Sequence, residues 1–340
     1  MSRDVRIDII RGILIVSVVI AHFREGIVHD IIFLFHMPLF FILTGFLLKY
    51  EKVTDVMYLK QRTVKLLIPY LCYMVLDLLF VRQTFSLKDM IKLLWGGRAI
   101  SGTYWYITCL LFTLFMFSVL VKNFHKNTVK HLILLGGGIA VFESYLSEYV
   151  HVLKYPGVPW SADTVLLALV YLGIGYYYKK PINMWMGAEE RKFDIAAIGA
   201  VITGAVFCFV NYQRDSRLYY FDMKPLYYRE LLMAVAVPCV FGVILLRLAH
   251  WFDQCVAVKW IKDLLCVLGQ MTIPIMFLHV PLNAWKDIAG YGLGLYCLIG
   301  IGIPVLFSCL CSRFGVMRKL FGLPLIVFHE VQKRKKDDSL

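Results

Sequence analysis

Long polar stretches are missing from this chain. Charged residues make up only 17% of its 340 residues, hydrophobic residues make up 60%, and the mean hydropathy is +0.70. A soluble globular chain is nearer half apolar. The polar gaps between apolar blocks reach only about twenty residues, and internal repeats and low-complexity segments are absent. These absences exclude a separate soluble domain between the blocks and a repeat architecture.

Paired loop cysteines and metal-binding motifs are absent as well. The nine cysteines are scattered, mostly within apolar blocks, and no pair has the spacing of a disulfide or zinc motif. We interpret them as small buried apolar residues. The first apolar block contains Arg11 and lacks a small-x-small cleavage site. We therefore expect it to be retained as a membrane segment rather than removed as a signal peptide.

Apolar blocks of about 17–20 residues recur along the sequence instead, which is the length that spans a bilayer core as a helix. Ten are predicted, at residues 5–23, 31–48, 64–81, 104–121, 131–147, 161–178, 195–211, 231–248, 264–282 and 293–311. This pattern predicts an all-α polytopic membrane protein, a bundle of about ten transmembrane helices. We place one transmembrane domain at residues 1–312. A basic cytoplasmic tail with an interfacial helix is predicted at 313–340.

Basic residues outnumber acidic residues by 36 to 23, and the formal net charge is +13. If the N-terminus is cytoplasmic, the cytoplasmic segments hold 24 of the basic residues, the outer loops hold 11, and Arg11 lies within a span. Lys and Arg collect in the cytoplasmic loops of membrane proteins. We therefore expect both termini in the cytoplasm and a multi-pass protein of the cell membrane. The basic run at residues 333–336 is expected to contact anionic lipid rather than nucleic acid.

Arg11 and His22 stand at the two ends of the first apolar block. Ionisable side chains in a membrane span are costly and are functional candidates by default. Their spacing places both on one helical face, about 16 Å apart along the axis, so they can line one groove at two depths without touching. Asp8 is placed for a helix-surface ion pair with Arg11. Arg11 alone also fits snorkelling to the interface, but the pair on one face favours a functional site.

Two further histidines fall in the outer half of the predicted bundle. His36 lies in FHMPLFFILTGF, beside Thr44 and Gly45, and glycine there would allow another helix to approach closely. His279 ends the segment LGQMTIPIMFLH. Histidine is the side chain that best exchanges protons near neutral pH. We expect no metal at these histidines, because no acidic cluster accompanies them.

Cations and aromatic residues mark the two ends of the predicted bundle. Arg62 and Lys65 precede the third block on one helical face, which fits either a positive-inside anchor or the capture of a phosphate group. On the outer side, Tyr104 and Trp105 fit an interfacial aromatic belt or a carbohydrate platform. Asp163, at the start of the sixth block, fits a helix cap or an acceptor-side ligand.

Five passages resemble the membrane acyltransferase-3 family, most closely its fucose-4-O-acetylase-like branch. The first contains the family's Arg-x10-His signature as Arg11 and His22. Two departures keep a hydroxyl group, Thr44 and Thr272 in place of the usual serines, while Lys65 replaces an arginine that gives bidentate phosphate contacts. The passages, in the family's order, are DIIRGILIVSVVIAH, FHMPLFFILTGF, QRTVKLLIPY, PWSADTVLLALVYLGIGY and LGQMTIPIMFLH.

The resemblance implies an integral-membrane O-acyltransferase. Such an enzyme moves an acyl group, most often acetyl, from cytoplasmic acetyl-CoA to a hydroxyl of a cell-surface or lipid-linked sugar. Arg62 and Lys65 are expected to bind the phosphates of CoA, and Arg11 to line the donor path. The alternative is a polysaccharide exporter or flippase of the same fold, because intramembrane charges also mark translocation paths.

The remaining candidates are expected near the acyl transfer. His22 is the predicted general base, since an ordinary histidine pKa of about 6.5 suits that role; a covalent acetyl-histidine is the less favoured alternative. His36 and His279 would orient His22 or stabilise the developing oxyanion. Three residues are the candidates for binding the acceptor, namely Asp163, Tyr104 and Trp105.

Overall fold

Helices make up almost all of the regular structure. The computed structural model describes residues 4–325 apart from 24–25, 83–86, 88–90, 93–94, 97–102, 155–156 and 214–217, so the basic run at 333–336 lies outside the described residues. The helices are α1 (Val5–His22), α2 (Gly26–Phe33), α3 (His36–Leu47), α4 (Tyr50–Val53), α5 (Val56–Leu76), α6 (Trp105–Asn123), α7 (Lys126–Leu146), α8 (His151–Lys154), α9 (Val165–Tyr177), α10 (Lys179–Gly187), α11 (Arg191–Tyr212), α12 (Leu231–Gln254), α13 (Lys259–Gln270), α14 (Thr272–Leu282), α15 (Lys286–Ala289), α16 (Leu293–Cys297), α17 (Ile303–Cys311) and α18 (Gly315–Phe321).

The all-α membrane architecture predicted from the sequence is confirmed, but the count of ten spans is not. Within the described ranges, seven helical stretches are long and apolar enough to cross a membrane, or eight if a pair bent by 82° forms one span. They are Gly26–Leu47, Val56–Phe80, Trp105–Asn123, Lys126–Leu146, Arg191–Tyr212, Leu231–Gln254 and Leu293–Cys311, with Val256–Gln270 and Thr272–Leu282 as the bent pair.

Two predicted spans are not among the observed ones, the first at residues 5–23 and the sixth at 161–178. Helix α1 has 18 residues but includes three charged side chains, those of Arg6, Asp8 and Arg11. Helix α9 has only 13 residues and is preceded by a 3₁₀ turn at Pro159–Thr164. Both helices instead pack deep in the bundle, α1 against α13 and α9 against α3. Because α1 is surrounded by other helices, its charged side chains are kept away from lipid. The same surroundings cover α9, which is short for a membrane span.

Helices α3 and α9 approach each other at glycine. A Cβ atom on Gly45 would lie 2.0 Å from the carbonyl oxygen of Leu172, and one on Gly175 would lie 1.8 Å from the carbonyl oxygen of Ile42. Only glycine permits backbones this close, a device that membrane helices use often. The close approach predicted for Gly45 is therefore confirmed, and it fixes α3, with His36 at its start, against the core.

The ninth predicted span is broken in its middle. Helix α13 ends at Gln270 and α14 begins at Thr272, with the bend of 82° between them. Pro274 explains the break, because it has no N–H to donate to the carbonyl of Gln270 and its ring clashes with that carbonyl in a continuous helix. The break exposes polar side chains within an otherwise apolar stretch, as membrane proteins tolerate where backbone lines a cavity.

Contacts of α1 with its neighbours define the two ends of the bundle. Arg6 Nη1 and His250 Nδ1 both contact the carbonyl oxygen of Met186 at 3.0 Å, which brings together the start of α1 and the end of α12. Helix α12 packs along α1, and it therefore runs from the level of His22 toward the level of Arg6. Phe33 lies between His22 and His36, so α3 runs back from the level of His22. We call the two ends the Arg6 end and the His22 end.

The segment after the last span forms a short helix that packs on α5. The Tyr73 hydroxyl donates to the Phe321 carbonyl oxygen at 3.1 Å, and the two rings lie 5.3 Å apart. Helix α18 then ends at Phe321, and the φ of +60° at the next residue, Gly322, is the left-handed conformation typical of helix C-termini. A helix was predicted in this tail; its placement at a membrane surface stays a prediction.

Candidate active site

A cavity of about 1760 Å³ extends between the two ends of the bundle. Ordinary small-molecule sites occupy about 300–1,000 Å³, so this cavity can hold an extended ligand or two ligands together. Six of the nine predicted site residues line it, namely Arg11, His22, His36, Arg62, Lys65 and Trp105. Arg11 and His22 therefore share one cavity at two depths, as their spacing predicts.

The Arg6 end of the cavity is basic. Arg62 and Lys65 reach it from α5, while Arg318 and Lys319 reach it from α18. The sequence analysis named only the first pair, because α18 follows the last span by sequence and its docking on α5 depends on long-range contacts. Four cations from two elements suit a ligand with several phosphate groups.

The middle of the cavity holds Arg11 and neutral polar groups. Tyr106 lines the cavity within electrostatic reach of both Arg11 and Arg62, and its hydroxyl hydrogen-bonds the Thr44 side chain. Gln270 and its neighbour across the α13–α14 break, Thr272, add an amide and a hydroxyl. This stretch links the basic end to the histidines by groups that hydrogen-bond without adding negative charge.

The orientation of the His22 ring defines its chemistry. Nδ1 lies 2.8 Å from the carbonyl oxygen of Val18, one helical turn earlier. A carbonyl oxygen only accepts hydrogen bonds, so Nδ1 carries the hydrogen. In the neutral ring, the lone pair that accepts a proton is therefore on Nε2. This tautomer is the one that a general base at this position needs.

The same tautomer recurs in two further histidines. His36 Nδ1 donates to the Ile32 carbonyl oxygen at 2.7 Å, and His279 Nδ1 donates to the Ile275 carbonyl oxygen at 2.8 Å. His36 lines the cavity, whereas His279 is fully buried behind it and contacts His22 edge to face. The buried Nε2 of His279 has no hydrogen-bond partner among the described residues.

His29 also lines the cavity, although it is not among the residues predicted from the sequence. Its Nδ1 contacts the Ala21 carbonyl oxygen at 2.5 Å, and its ring packs on Phe33 with centroids 4.2 Å apart. The second span was predicted to begin at residue 31, which left His29 in a loop, whereas the helical stretch begins at Gly26. A spacing of seven residues, about two helical turns, places His29 on the same side as His36 and is the signal that was overlooked.

Asp163 and Tyr104 do not line the cavity. The buried carboxylate of Asp163 accepts hydrogen bonds from the backbone N–H groups of Val158 and Thr164, at 3.3 and 2.8 Å. The fully buried ring of Tyr104 stacks on Phe277 at 5.1 Å and meets Tyr70 edge to face. Both residues therefore stabilise the packing around the cavity. Neither is placed to contact an acceptor in the cavity directly, as their predicted role would require.

No metal centre is formed by the described part of the chain, where no group of three or more His, Cys, Asp and Glu side chains is arranged to hold an ion. The four histidines, His22, His29, His36 and His279, form the histidine cluster of the His22 end. Three of them face the cavity and one supports it from behind. The arrangement can accept a proton at one end of a cavity whose other end can hold phosphates.

Comparison with known proteins finds two curated relatives of modest similarity. The chain is similar to the nodulation protein NolL of Mesorhizobium japonicum, 23% identical over 64% of this chain and 59% of that protein. It is also similar to the nodulation protein NolL of Sinorhizobium fredii, 28% identical over 64% of this chain and 60% of that protein. The chain thus spans about three-fifths of the length of these curated relatives. No solved structure matches it.

A family comparison covers more of the chain than these relatives do. The family model described as an acyltransferase domain matches residues 4–317, which include every helix from α1 to the start of α18. This range contains His22 at one end of the cavity and Arg62 and Lys65 at the other, while Arg318 and Lys319 follow it. The chain therefore belongs to the membrane acyltransferase-3 family.

Proposed function

We propose that this protein is an O-acetyltransferase that moves an acetyl group from acetyl-CoA to a hydroxyl of a cell-surface or lipid-linked sugar. One observation carries the proposal: a single cavity joins four cations at the Arg6 end to a histidine with its proton-accepting nitrogen fixed at the His22 end. In an acyltransferase, that combination fits a phosphorylated thioester donor and a hydroxyl acceptor that meet inside the membrane.

The donor enters from the Arg6 end, which we expect to face the cytoplasm because basic residues collect on the cytoplasmic side of membrane proteins. Arg62, Lys65, Arg318 and Lys319 bind its phosphate groups through charge-assisted hydrogen bonds. The pantetheine arm extends past Arg11 toward His22. That path follows α1 for about 16 Å, a length that an extended pantetheine arm can largely bridge. Arg11 acts along this path and orients the arm.

The acyl transfer takes place beside His22. As Nε2 takes the proton of the acceptor hydroxyl, the oxygen of that hydroxyl attacks the thioester carbonyl carbon. The tetrahedral intermediate then collapses, the carbon–sulfur bond breaks, and the imidazolium returns the proton to the departing CoA sulfur. The products are the O-acetylated sugar and free CoA, and His22 ends in its starting tautomer.

The other predicted residues support this step. A neutral His279 has one N–H group, and it already donates that hydrogen to the Ile275 carbonyl oxygen, so none is left to stabilise an oxyanion. Of its two predicted roles, the one that remains is to orient the His22 ring, against which it packs. His36 likewise donates its Nδ1 hydrogen, to the Ile32 carbonyl oxygen, and so has none for an oxyanion. Its role is to form part of the cavity wall. Trp105 remains on the acceptor path, while Asp163 and Tyr104 act through the structure of the wall.

The test is direct transfer by the purified full chain in lipid nanodiscs. Radiolabelled acetyl-CoA is supplied with a panel of glycosides that includes a fucoside, because the resemblance to the fucose-4-O-acetylase-like branch makes a deoxyhexose the first acceptor to try. Label on the glycoside, absent with His22→Ala, supports the proposal. Failure to bind acetyl-CoA, together with movement of a lipid-linked glycan across vesicles, would instead support the exporter alternative.

A further inference from the structure

The loop between α11 and α12 enters the His22 end of the cavity. We call residues 218–230 the cavity loop. Tyr220, Asp222, Lys224 and Pro225 line the same cavity as His22. None of them belongs to a predicted span, and the sequence analysis assigned the loop no role.

Buried and cavity-facing side chains alternate along the cavity loop, which indicates a defined conformation. Tyr219, Phe221 and Met223 are buried in the core, while Tyr220 and Asp222 between them face the cavity. Such a period of two is the pattern of an extended segment with one face on a core. The buried residues anchor the segment and thereby fix the position of those that face the cavity.

Hydrogen bonds from two helices hold the cavity loop in place. The fully buried Asn211 donates to the Tyr219 carbonyl oxygen at 2.9 Å and accepts from the Tyr219 N–H at 2.7 Å. Ser144 donates to the Leu226 carbonyl oxygen at 2.6 Å and accepts from the Tyr228 N–H at 3.1 Å. Buried polar side chains that use both their donor and acceptor groups on one loop specify its conformation.

The tip of the loop is closed and strained. Asp222 and Tyr227 exchange two backbone hydrogen bonds of 2.9 and 2.8 Å. Leu226, within this turn, has a φ of 58°, which is costly for a branched side chain and persists only where the surroundings impose it. Such strain clusters at functional sites. Asp222, at the base of this turn, lines the cavity, and one of its carboxylate oxygens accepts from the Lys224 N–H at 3.0 Å.

We propose that the cavity loop binds the acceptor sugar and presents its hydroxyl to His22. The Asp222 carboxylate, which can accept about four hydrogen bonds, accepts one from a sugar hydroxyl, the Tyr220 ring covers an apolar face of the sugar, and Lys224 donates to a neighbouring oxygen. This combination recognises a pyranose with adjacent hydroxyl groups. The inference rests on the proposed function, since it identifies where the acceptor of that reaction sits.

The experiment measures sugar binding separately from donor binding. The full chain in nanodiscs is titrated with the methyl pyranosides of fucose, galactose, glucose and mannose, observed by saturation-transfer difference NMR, and with acetyl-CoA by calorimetry. Asp222→Asn keeps the shape of the side chain but removes its charge. It is expected to weaken binding of the preferred glycoside by about tenfold, the loss expected for a charged hydrogen bond, and to leave acetyl-CoA binding unchanged. Tyr220→Ala is expected to act likewise.

Matched controls lie outside the cavity. Asp287→Asn changes a carboxylate that is 92% exposed, and Tyr149→Ala removes a ring that is 83% exposed; both are expected to bind glycosides as the wild type does. The inference is overturned if no pyranoside of the panel binds, or if the Asp222 and Tyr220 variants bind it like the wild type. Glycoside binding without acetyl-CoA binding would retain the cavity loop as a sugar site and refute the proposed donor.

Discussion

The rings of His22 and His279 meet edge to face, with centroids 4.8 Å apart and planes at 81°. The two residues are distant in the sequence, on α1 and α14, and each donates its Nδ1 hydrogen to the carbonyl one turn earlier on its own helix. His22 lines the cavity and His279 lies fully buried behind it. One ring is therefore reached from the cavity, and the other packs against it from behind.

Removal of the His22 imidazole should abolish acetyl transfer. A positioned general base contributes about 10²- to 10⁴-fold to the rate, so His22→Ala should lower kcat by at least two orders of magnitude. His131→Ala, which removes an exposed histidine that does not line the cavity, should keep the wild-type rate. Transfer of label from acetyl-CoA measures both. Wild-type kcat in His22→Ala would refute the general-base assignment.

The support that His279 gives to His22 predicts a different kinetic signature. His279→Ala opens space behind the reacting ring and should lower kcat by roughly ten- to a hundredfold, since small misplacements in an active site have effects of this size. The KM for acetyl-CoA should not change, because the proposed phosphate site is at the other end of the cavity. His279→Phe keeps a ring against His22 and should restore part of the lost kcat. A change in KM alone would contradict this role.

The basic Arg6 end predicts that α18 contributes to donor binding. The double variant Arg318→Ala/Lys319→Ala should raise the KM for acetyl-CoA by at least tenfold, because each charged hydrogen bond to phosphate contributes about 1.5–3 kcal/mol. The same variant should use acetyl-pantetheine, which lacks the nucleotide, as well as the wild type does. Arg313→Ala, a nearby cation that does not line the cavity, is the control. An equal KM in all three proteins would exclude α18 from the donor site.

The sequence predicted the parts of the site that belong to single helices. Arg11 and His22 share one face of α1, so helical geometry alone places them along one cavity. His29 could have been found in this way, from its spacing of seven residues to His36, but Arg318 and Asp222 could not. Arg318 reaches the cavity because Tyr73 and Phe321 join α18 to α5.

The cavity loop was missed for a related reason. Asp222 faces the cavity because Asn211 and Ser144 hold a loop against the core. The Ser144 contact joins residues 82 apart in the chain, and hydropathy reports neither this contact nor that of Asn211. The count of spans failed for a comparable reason, because α9 is shorter than a bilayer and depends on the helices around it.

The close packing of α3 against α9 predicts a large effect from a single methyl group. In Gly175→Ala the new Cβ would lie 1.8 Å from the Ile42 carbonyl oxygen, so the backbones must separate, at a cost of about 1–3 kcal/mol for an overpacked core. The variant should unfold at a lower temperature than the wild type in a fluorescence thermal-shift measurement in detergent. Gly199→Ala adds the same group to α11 where no atom lies within 4 Å, and it should be neutral or slightly stabilising because alanine favours helix. Because α3 carries His36 and Thr44 into the cavity, the Gly175 variant should also lose acetyl transfer below its unfolding temperature, whereas equal stability of the two variants would refute the close packing.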